Sequence, residues 1–265
     1  MVVAKLTRII SNPKTTASDI NTVLSADPGL VAKILKLVNS SYYGFSRRIT
    51  TITNAVVILG FSQVRNLAIS AFVFDAFADS GKDSRFDVNG FWKHSIGTAF
   101  ISSGITRKLA PKIAENAFIC GLLHDLGKFI MAQNASNHMS LVLDTVYEKD
   151  ILFCQAEAEQ LDYNHAILGA AAMEKWNLPE VLVEAVRHHH APLEAPDNSR
   201  MLACAANIAD IAARAFLMGS SGDRRIPILT REVWNQIGLN WPEMEAIVRG
   251  VATEYAESNA LFSIK

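Results

Sequence analysis

The stretch Ala117–Lys128, AFICGLLHDLGK, decides the fold class, and it reads as part of a helix beginning near Glu115. Ala117, Gly121, His124 and Lys128 fall on one side at i, i+4, i+7 and i+11, while Leu123, Leu126 and Ile130 occupy another. A packing face would carry leucine or isoleucine throughout. Ala117 and Gly121 have almost no side chain, so this face is expected to leave a hollow above His124.

Working outward, the same device recurs. His94 has Gly97 and Thr98 on its face, and His165 opens a helix with Leu168, Gly169 and Ala172 beside it. Asp210 stands in MLACAANIADIAARAF with Ala203, Ala206 and Ala213 on its side. A carboxylate buried on such a stripe is costly unless it is paired or metal-bound, although a solvent-facing acid would produce the same pattern. His189 follows Leu182, Ala185 and Val186 and points inward, flanked by His188 and His190, with Ala191-Pro192 ending the helix. Any one of these histidines alone is more commonly an ordinary core or surface imidazole, which is how His138 is read. Together they amount to inward imidazoles on four helices and two carboxylates, Asp125 and Asp210, beside small residues.

The rest of the chain is helical as well. Asp27-Pro28 is a helix start, and Leu30, Ile34, Leu37 and Val38 mark the buried face behind it. A further helix runs to Gly60, and another opens near Ser62 with Val64, Leu67, Ala68 and Ala71 on one side. No comparable segment alternates with period two, so no sheet is expected. The polar stretch 79–90 reads as a loop between lobes, and 219–226 as a second loop before two C-terminal helices started by Thr230 and Pro242 and separated at Gly238. The expectation is an all-α bundle in one unit: an N-terminal lobe over 1–78, a metal-binding core over 85–218 and C-terminal helices over 226–265.

Composition excludes several classes. Half of the 265 residues are apolar, so disorder is not expected. Lys plus Arg is 25 against 26 for Asp plus Glu, a net charge of −1 that argues against a nucleic-acid surface. Arg47-Arg48 and Arg224-Arg225 read as solvated loops. The passage 53–75 has a faint helix-turn-helix outline, but its second helix carries a single arginine and reads as core, so no DNA partner is expected. Cys120, Cys154 and Cys204 form no CxxC, and Cys120 and Cys204 lie in apolar helical stretches, which fits a reducing cytoplasm. No apolar run approaches bilayer length, and residues 1–30 lack a signal peptide's apolar centre.

Neutral imidazole and carboxylate oxygen suit iron or manganese, with magnesium or zinc also admissible, and the lack of thiolates disfavours a structural zinc. Two imidazoles and two carboxylates would leave positions for water and a phosphate oxygen. Lys128, one turn beyond His124, could offset phosphate charge.

FWKHS at 91–95, AFICGLLHDLGK, and HAILGAAAMEKWNLPEVLVEAVRHHHAP from His165 resemble the HD superfamily, specifically its HDOD (HD-related output domain) branch. DPGLVAKILKLVNSSYYGFSRRITTITNAVVILGFSQVRNLAIS from Asp27 is similar to that branch's signature segment. The resemblance covers nearly the whole chain and implies an HD-domain bundle. By it, His94 is the first ligand, His124-Asp125 the doublet that names the superfamily, and Asp210 the closing carboxylate. His165, His189 and His190 resemble the added histidines that hold a second metal in HD-GYP phosphodiesterases. No Gly-Tyr-Pro segment follows Ala191-Pro192, so cyclic-di-GMP hydrolysis is not implied. Relatives usually carry an upstream Leu-Pro-rich start and often a receiver domain. This sequence opens directly in a helix, as a short homologue or a piece of a longer chain would.

The resemblance implies a cytoplasmic signal-transduction output domain that retains one or two divalent ions and acts through a signalling partner held by its N-terminal lobe. The competing expectation is a metal-dependent phosphohydrolase acting on a nucleotide or other phosphate-containing small molecule, with catalytic roles for Asp125, as metal holder and guide of the nucleophile, and for Lys128, at the developing oxyanion. The third is a helical core whose polar residues satisfy one another without metal.

Overall fold

The structure, a computed structural model, describes residues 48–61 and 85–262, together with positions 16, 19, 22, 24, 31, 32, 34, 35, 38, 39, 45, 63, 64, 67 and 68. Among these residues every regular element is helical and there is no strand. The expectations placed on Asp27-Pro28, Leu30, Leu37, Arg47, Ser62, Ala71 and residues 79–84 lie outside the described residues. Ile34, Val38, Val64, Leu67 and Ala68 are helical and fully buried, as their spacing requires.

Helix α1 (Ile52–Leu59) is capped by Thr51, whose hydroxyl accepts the Asn54 N–H at 3.1 Å, and it ends at Gly60 with φ +85°. Helix α2 (Val88–Leu109) is the axis of the rest. Asp87 caps it through the Gly90 N–H at 2.9 Å, so residues 88–90, expected in a loop, already belong to the helix. Its residues from Gly90 to Thr106 are buried on nearly every side. Helices α3 (Ala114–Leu123), α9 (Asp197–Ala215) and α11 (Trp241–Phe262) pack directly on it. Between them run α4 (Leu126–Asn134), α5 (Ser136–Lys149), α6 (Phe153–Gln160), α7 (His165–Lys175) and α8 (Glu180–Arg187). The short α10 (Arg231–Ile237) rests on α9, started by Thr230 and stopped by Gly238 with φ +70°.

Phe91, Trp92 and Phe129 stack into one aromatic knot at the base of α2 and α4, with ring centroids 5.2–5.9 Å apart. Burying each such ring contributes about 1.5–3 kcal/mol. Two departures from the sequence expectation concern this packing. First, α3 does not continue through His124; the chain breaks at His124-Asp125 and α4 starts at Leu126. Second, the small residues leave no hollow. A Cβ on Gly121 would sit 2.7 Å from the Thr98 carbonyl oxygen, and one on Gly97 would sit 2.8 Å from Met218. At Gly121 the absent side chain lets the α2 and α3 backbones touch, which sets how close His94 and His124 come, and at Gly97 it makes room for the Met218 side chain.

After α9 the chain turns back through Leu217 (φ +55°), with the Met218 N–H donating to the Ala213 carbonyl at 2.8 Å. Gly219, at φ +79°, lies against the α2 backbone, where a Cβ would come within 2.3 Å of the His94 nitrogen. Residues 218–223 are thereby folded under the part of α2 that carries His94.

Candidate metal centre

Six elements deliver the polar residues. His94 projects from α2, His124 closes α3, Asp125 opens α4, His165 opens α7, His189 and His190 follow α8, and Asp210 lies in α9. His124, Asp125, His165 and His189 are fully buried, and His94 and Asp210 are 1% exposed. Asp210 is therefore no surface acid.

The residues form two groups in which one donor atom from each lies within 4.8 Å of the others: His94, His124 and Asp210 in one, and Asp125, His165, His189 and His190 in the other. In the first, His94 Nε2 is 2.9 Å and His124 Nε2 3.7 Å from Asp210 Oδ1. In the second, His165 Nε2 is 3.0 Å and His189 Nε2 3.7 Å from Asp125 Oδ1, and His190 Nε2 is 2.8 Å from His165 Nε2. Asp125 joins the two, since its Oδ2 is 3.3 Å from His124 Nε2. His188 turns away to Glu184, and His138 meets the Tyr163 hydroxyl at 2.8 Å outside the cluster.

The tautomers follow from the outer partners. His124 Nδ1 is 2.8 Å from the Gly121 carbonyl and His189 Nδ1 is 2.7 Å from the Val186 carbonyl, so both Nδ1 atoms donate. His165 Nδ1 donates to Glu157 Oε2 at 2.6 Å. Each ring consequently turns a bare Nε2 toward the centre when neutral, the arrangement metal-binding histidines adopt. Neither oxygen of Asp125 has a hydrogen bond of proper geometry, and neither does His124 Nε2 or His189 Nε2. The Lys128 ammonium approaches Asp125 Oδ2 to 3.0 Å, but the two imidazole nitrogens face no donor, and buried acceptors left so are rare in folded chains; a shared cation would satisfy them.

Around these sit residues that the sequence reading passed over. Arg214 grips Asp210 with Nε to Oδ1 and Nη2 to Oδ2, both at 2.8 Å. Asp223, from the loop expected only to connect helices, meets Arg214 Nη1 at 2.6 Å and Lys128 Nζ at 3.2 Å and accepts the Phe153 N–H at 2.6 Å. Lys128 is fully buried, with Nζ 3.0 Å from Asp125 Oδ2 and from the Ser221 carbonyl. Its three donors face protein acceptors. The buried carboxylates Asp125, Asp210, Asp223 and Glu157 outnumber the buried lysine and arginine, Lys128 and Arg214, by two, so the cluster calls for further positive charge from its imidazoles or from bound cations.

Burial works against charge at every one of these groups, and the neighbours decide the outcome. Burial alone would raise Asp125, but His124 and Lys128 hold it well below the usual carboxylate range. Arg214 and the two histidines do the same for Asp210. Burial pushes His189 down to about 3, reinforced by His124 and His165, and takes His190 well below its ordinary value. Burial lowers His94 as well, but against burial Asp125 and Asp210 raise His124 to about 9, and Glu157 raises His165. The ionised carboxylates and the neutral His94, His189 and His190 are in the states a cation requires, and a cation would displace the protons of His124 and His165. The donor set fits a divalent metal.

The HDOD domain matches residues 1–192. A Treponema pallidum (strain Nichols) protein bearing only the name Uncharacterized protein is 30% identical over 224 residues, 84% of this chain but 43% of that protein. The chain thus spans less than half the length of that curated relative. A crystal structure of an HDOD domain protein of unknown function from Geobacter sulfurreducens superposes with a TM-score of 0.76 at 23% identity, covering 100% of this chain and 91% of the other. A Shewanella amazonensis SB2B protein, named provisionally as a phosphohydrolase, does so with a TM-score of 0.72 at 24% identity, over 99% and 93%. These structural likenesses establish the all-α fold, and with the domain matched over most of its length the chain belongs to the HDOD domain family.

Proposed function

We propose that this chain is a signal-transduction output domain built around a buried divalent metal centre and acting through a protein partner. His94, His124 and Asp210 hold one ion, His165, His189 and His190 a second, and Asp125 is shared between them. Iron or manganese suits these nitrogen and oxygen donors best.

One observation carries the preference for signalling over turnover. All the ligands except His190 are at most 1% exposed, and the Lys128 ammonium, the cation beside Asp125 that would meet a phosphate, is committed to Asp125, Asp223 and the Ser221 carbonyl. The two ions then tie six elements together and leave the exterior to make contacts. On the N-terminal lobe, Val57 is 76% and Ile58 52% exposed, an apolar edge suited to a signalling partner.

A second reading, metal-dependent phosphohydrolysis of a nucleotide or related phosphate compound, is favoured by Asp125, whose two oxygens face different histidine groups as a shared ligand of two ions would. A bound divalent ion supplies an acidified water and polarises a phosphoryl oxygen. Asp125 would then fix the direction of attack, with Lys128 holding Asp125 in place through its 3.0 Å contact.

The test separates the two. Protein reconstituted with manganese or iron is screened against nucleotides and phosphodiesters, and its metal is counted. The output-domain reading expects one or two ions per chain and no turnover, with Val57→Asp or Ile58→Asp abolishing partner binding at unchanged metal content. Metal-dependent hydrolysis that disappears in Asp125→Ala would replace it with the enzymatic reading.

A further inference from the structure

We propose that Glu157 is a positioning residue of the metal centre, locking the His165 ring and supplying the charge that lets the Asp125–His165–His189–His190 group hold its cation. This rests on reading that group as a metal subsite.

Glu157 is fully buried on α6, a helix that contributes no ligand. Both its oxygens are spent on one residue: Oε1 accepts the His165 backbone N–H at 2.7 Å, and Oε2 accepts His165 Nδ1–H at 2.6 Å. The pair fixes ring and main chain at once, so the imidazole cannot rotate. No lysine or arginine forms an ion pair with Glu157 among the described residues; the His165 imidazole is its one ionisable partner there. A buried carboxylate so placed is expensive unless positive charge is held nearby. Behind a neutral ring, that charge belongs on the far nitrogen.

The far nitrogen is His165 Nε2, 3.0 Å from Asp125 Oδ1 and 2.8 Å from His190 Nε2. With Nδ1–H given to Glu157, neutral His165 presents only a lone pair there. A cation among these atoms is countered by Asp125 on one side and, through the ring, by Glu157 on the other. The hydrogen bond from Nδ1–H to a carboxylate also raises the basicity of Nε2 as a ligand. The N-terminus of α7, at whose first residue Glu157 is anchored, favours the anion further.

The test uses cobalt(II) and full-length protein. A His94→Ala background disables the other group and leaves the His165 subsite to be titrated alone, by absorbance of the bound ion. Adding Glu157→Gln, which keeps shape but removes the charge, is expected to weaken cobalt binding roughly 10- to 100-fold. It is also expected to shift the ligand-field bands, while the helical circular dichroism stays unchanged. Should the glutamine variant fail to fold, Glu157→Asp replaces it; its carboxylate falls one methylene short, and the same loss is expected. Affinity within twofold of the parent, in a folded variant, overturns the role of Glu157 and leaves the subsite standing. If His94→Ala binds no cobalt although the wild type does, the subsite itself fails and Glu157 falls with it.

Discussion

Gly127 meets the main chain of His165 so closely that a Cβ added there would lie 1.9 Å from the His165 carbonyl oxygen. The start of α4, with Asp125 two residues earlier, is thus pressed against the start of α7. That contact brings Asp125 Oδ1 to 3.0 Å from His165 Nε2. Gly127→Ala has no flexible side chain to push aside and must part the two helices. It is expected to cost about 3 kcal/mol or more and to lower metal content. Gly250, in α11, faces open space, and Gly250→Ala should be neutral or stabilising by up to about 1 kcal/mol. Urea unfolding of both variants checks this; similar costs at the two positions would refute the contact.

Metal removal should destabilise the fold, because the proposed ions would draw together side chains from α2, α3, α4, α7, α9 and the turn after α8. At a free metal concentration a hundredfold above Kd, binding contributes about 2.7 kcal/mol, which moves the midpoint by roughly 5–10 °C in a chain of this size. Thermal melts with and without a strong chelator measure the difference. Superimposable melts would show that no ion stabilises the native chain.

Asp223 is expected to matter far more than its place in a polar loop suggests. Asp223→Ala leaves Lys128 and Arg214 buried with one acceptor fewer each, and should destabilise by about 3–5 kcal/mol. Arg249 pairs with Glu245 on the exposed surface of α11, so Arg249→Ala should leave the melting temperature nearly unchanged. Equal melts for the two variants would mean that the loop is not anchored at Asp223.

The thiols should be inert in the folded chain. Burial pushes Cys120 up to about 12 and both Cys154 and Cys204 up to about 11, so all three stay protonated at pH 8. An acid raised in the folded state contributes stability below its unfolded pKa, near 9, and that contribution is lost as pH climbs toward 11–12. Native protein at pH 8 should react with a disulfide reagent far more slowly than urea-unfolded protein, and stability should fall above about pH 9. Rapid labelling of any native thiol would contradict the burial.

The ligand residues were legible because each is a polar side chain out of place on an apolar or small-residue helix face. Asp210 among Ala203, Ala206 and Ala213 is the plainest case. Glu157, Arg214 and Asp223 offered no such contrast. Glu157 lies in FCQAEAEQ, where another acid stands two residues on, and Asp223 lies in a loop whose composition is that of any surface turn. Arg214 had one faint signal, its i+4 spacing from Asp210, which is the spacing of a helical ion pair. The glycines were read as marking space when they mark contact; a missing side chain is consistent with either, and only the neighbouring helix decides. The break at His124-Asp125 carries no proline or glycine of its own, so the run reads as one helix.

Anomalous scattering from crystals of manganese- or iron-reconstituted protein tests the central claim most directly. The account predicts two peaks on either side of the Asp125 carboxylate, one facing His94, His124 and Asp210, the other facing His165, His189 and His190. Crystals of reconstituted protein with no anomalous density there, and the same imidazoles and carboxylates simply paired with one another, would contradict it.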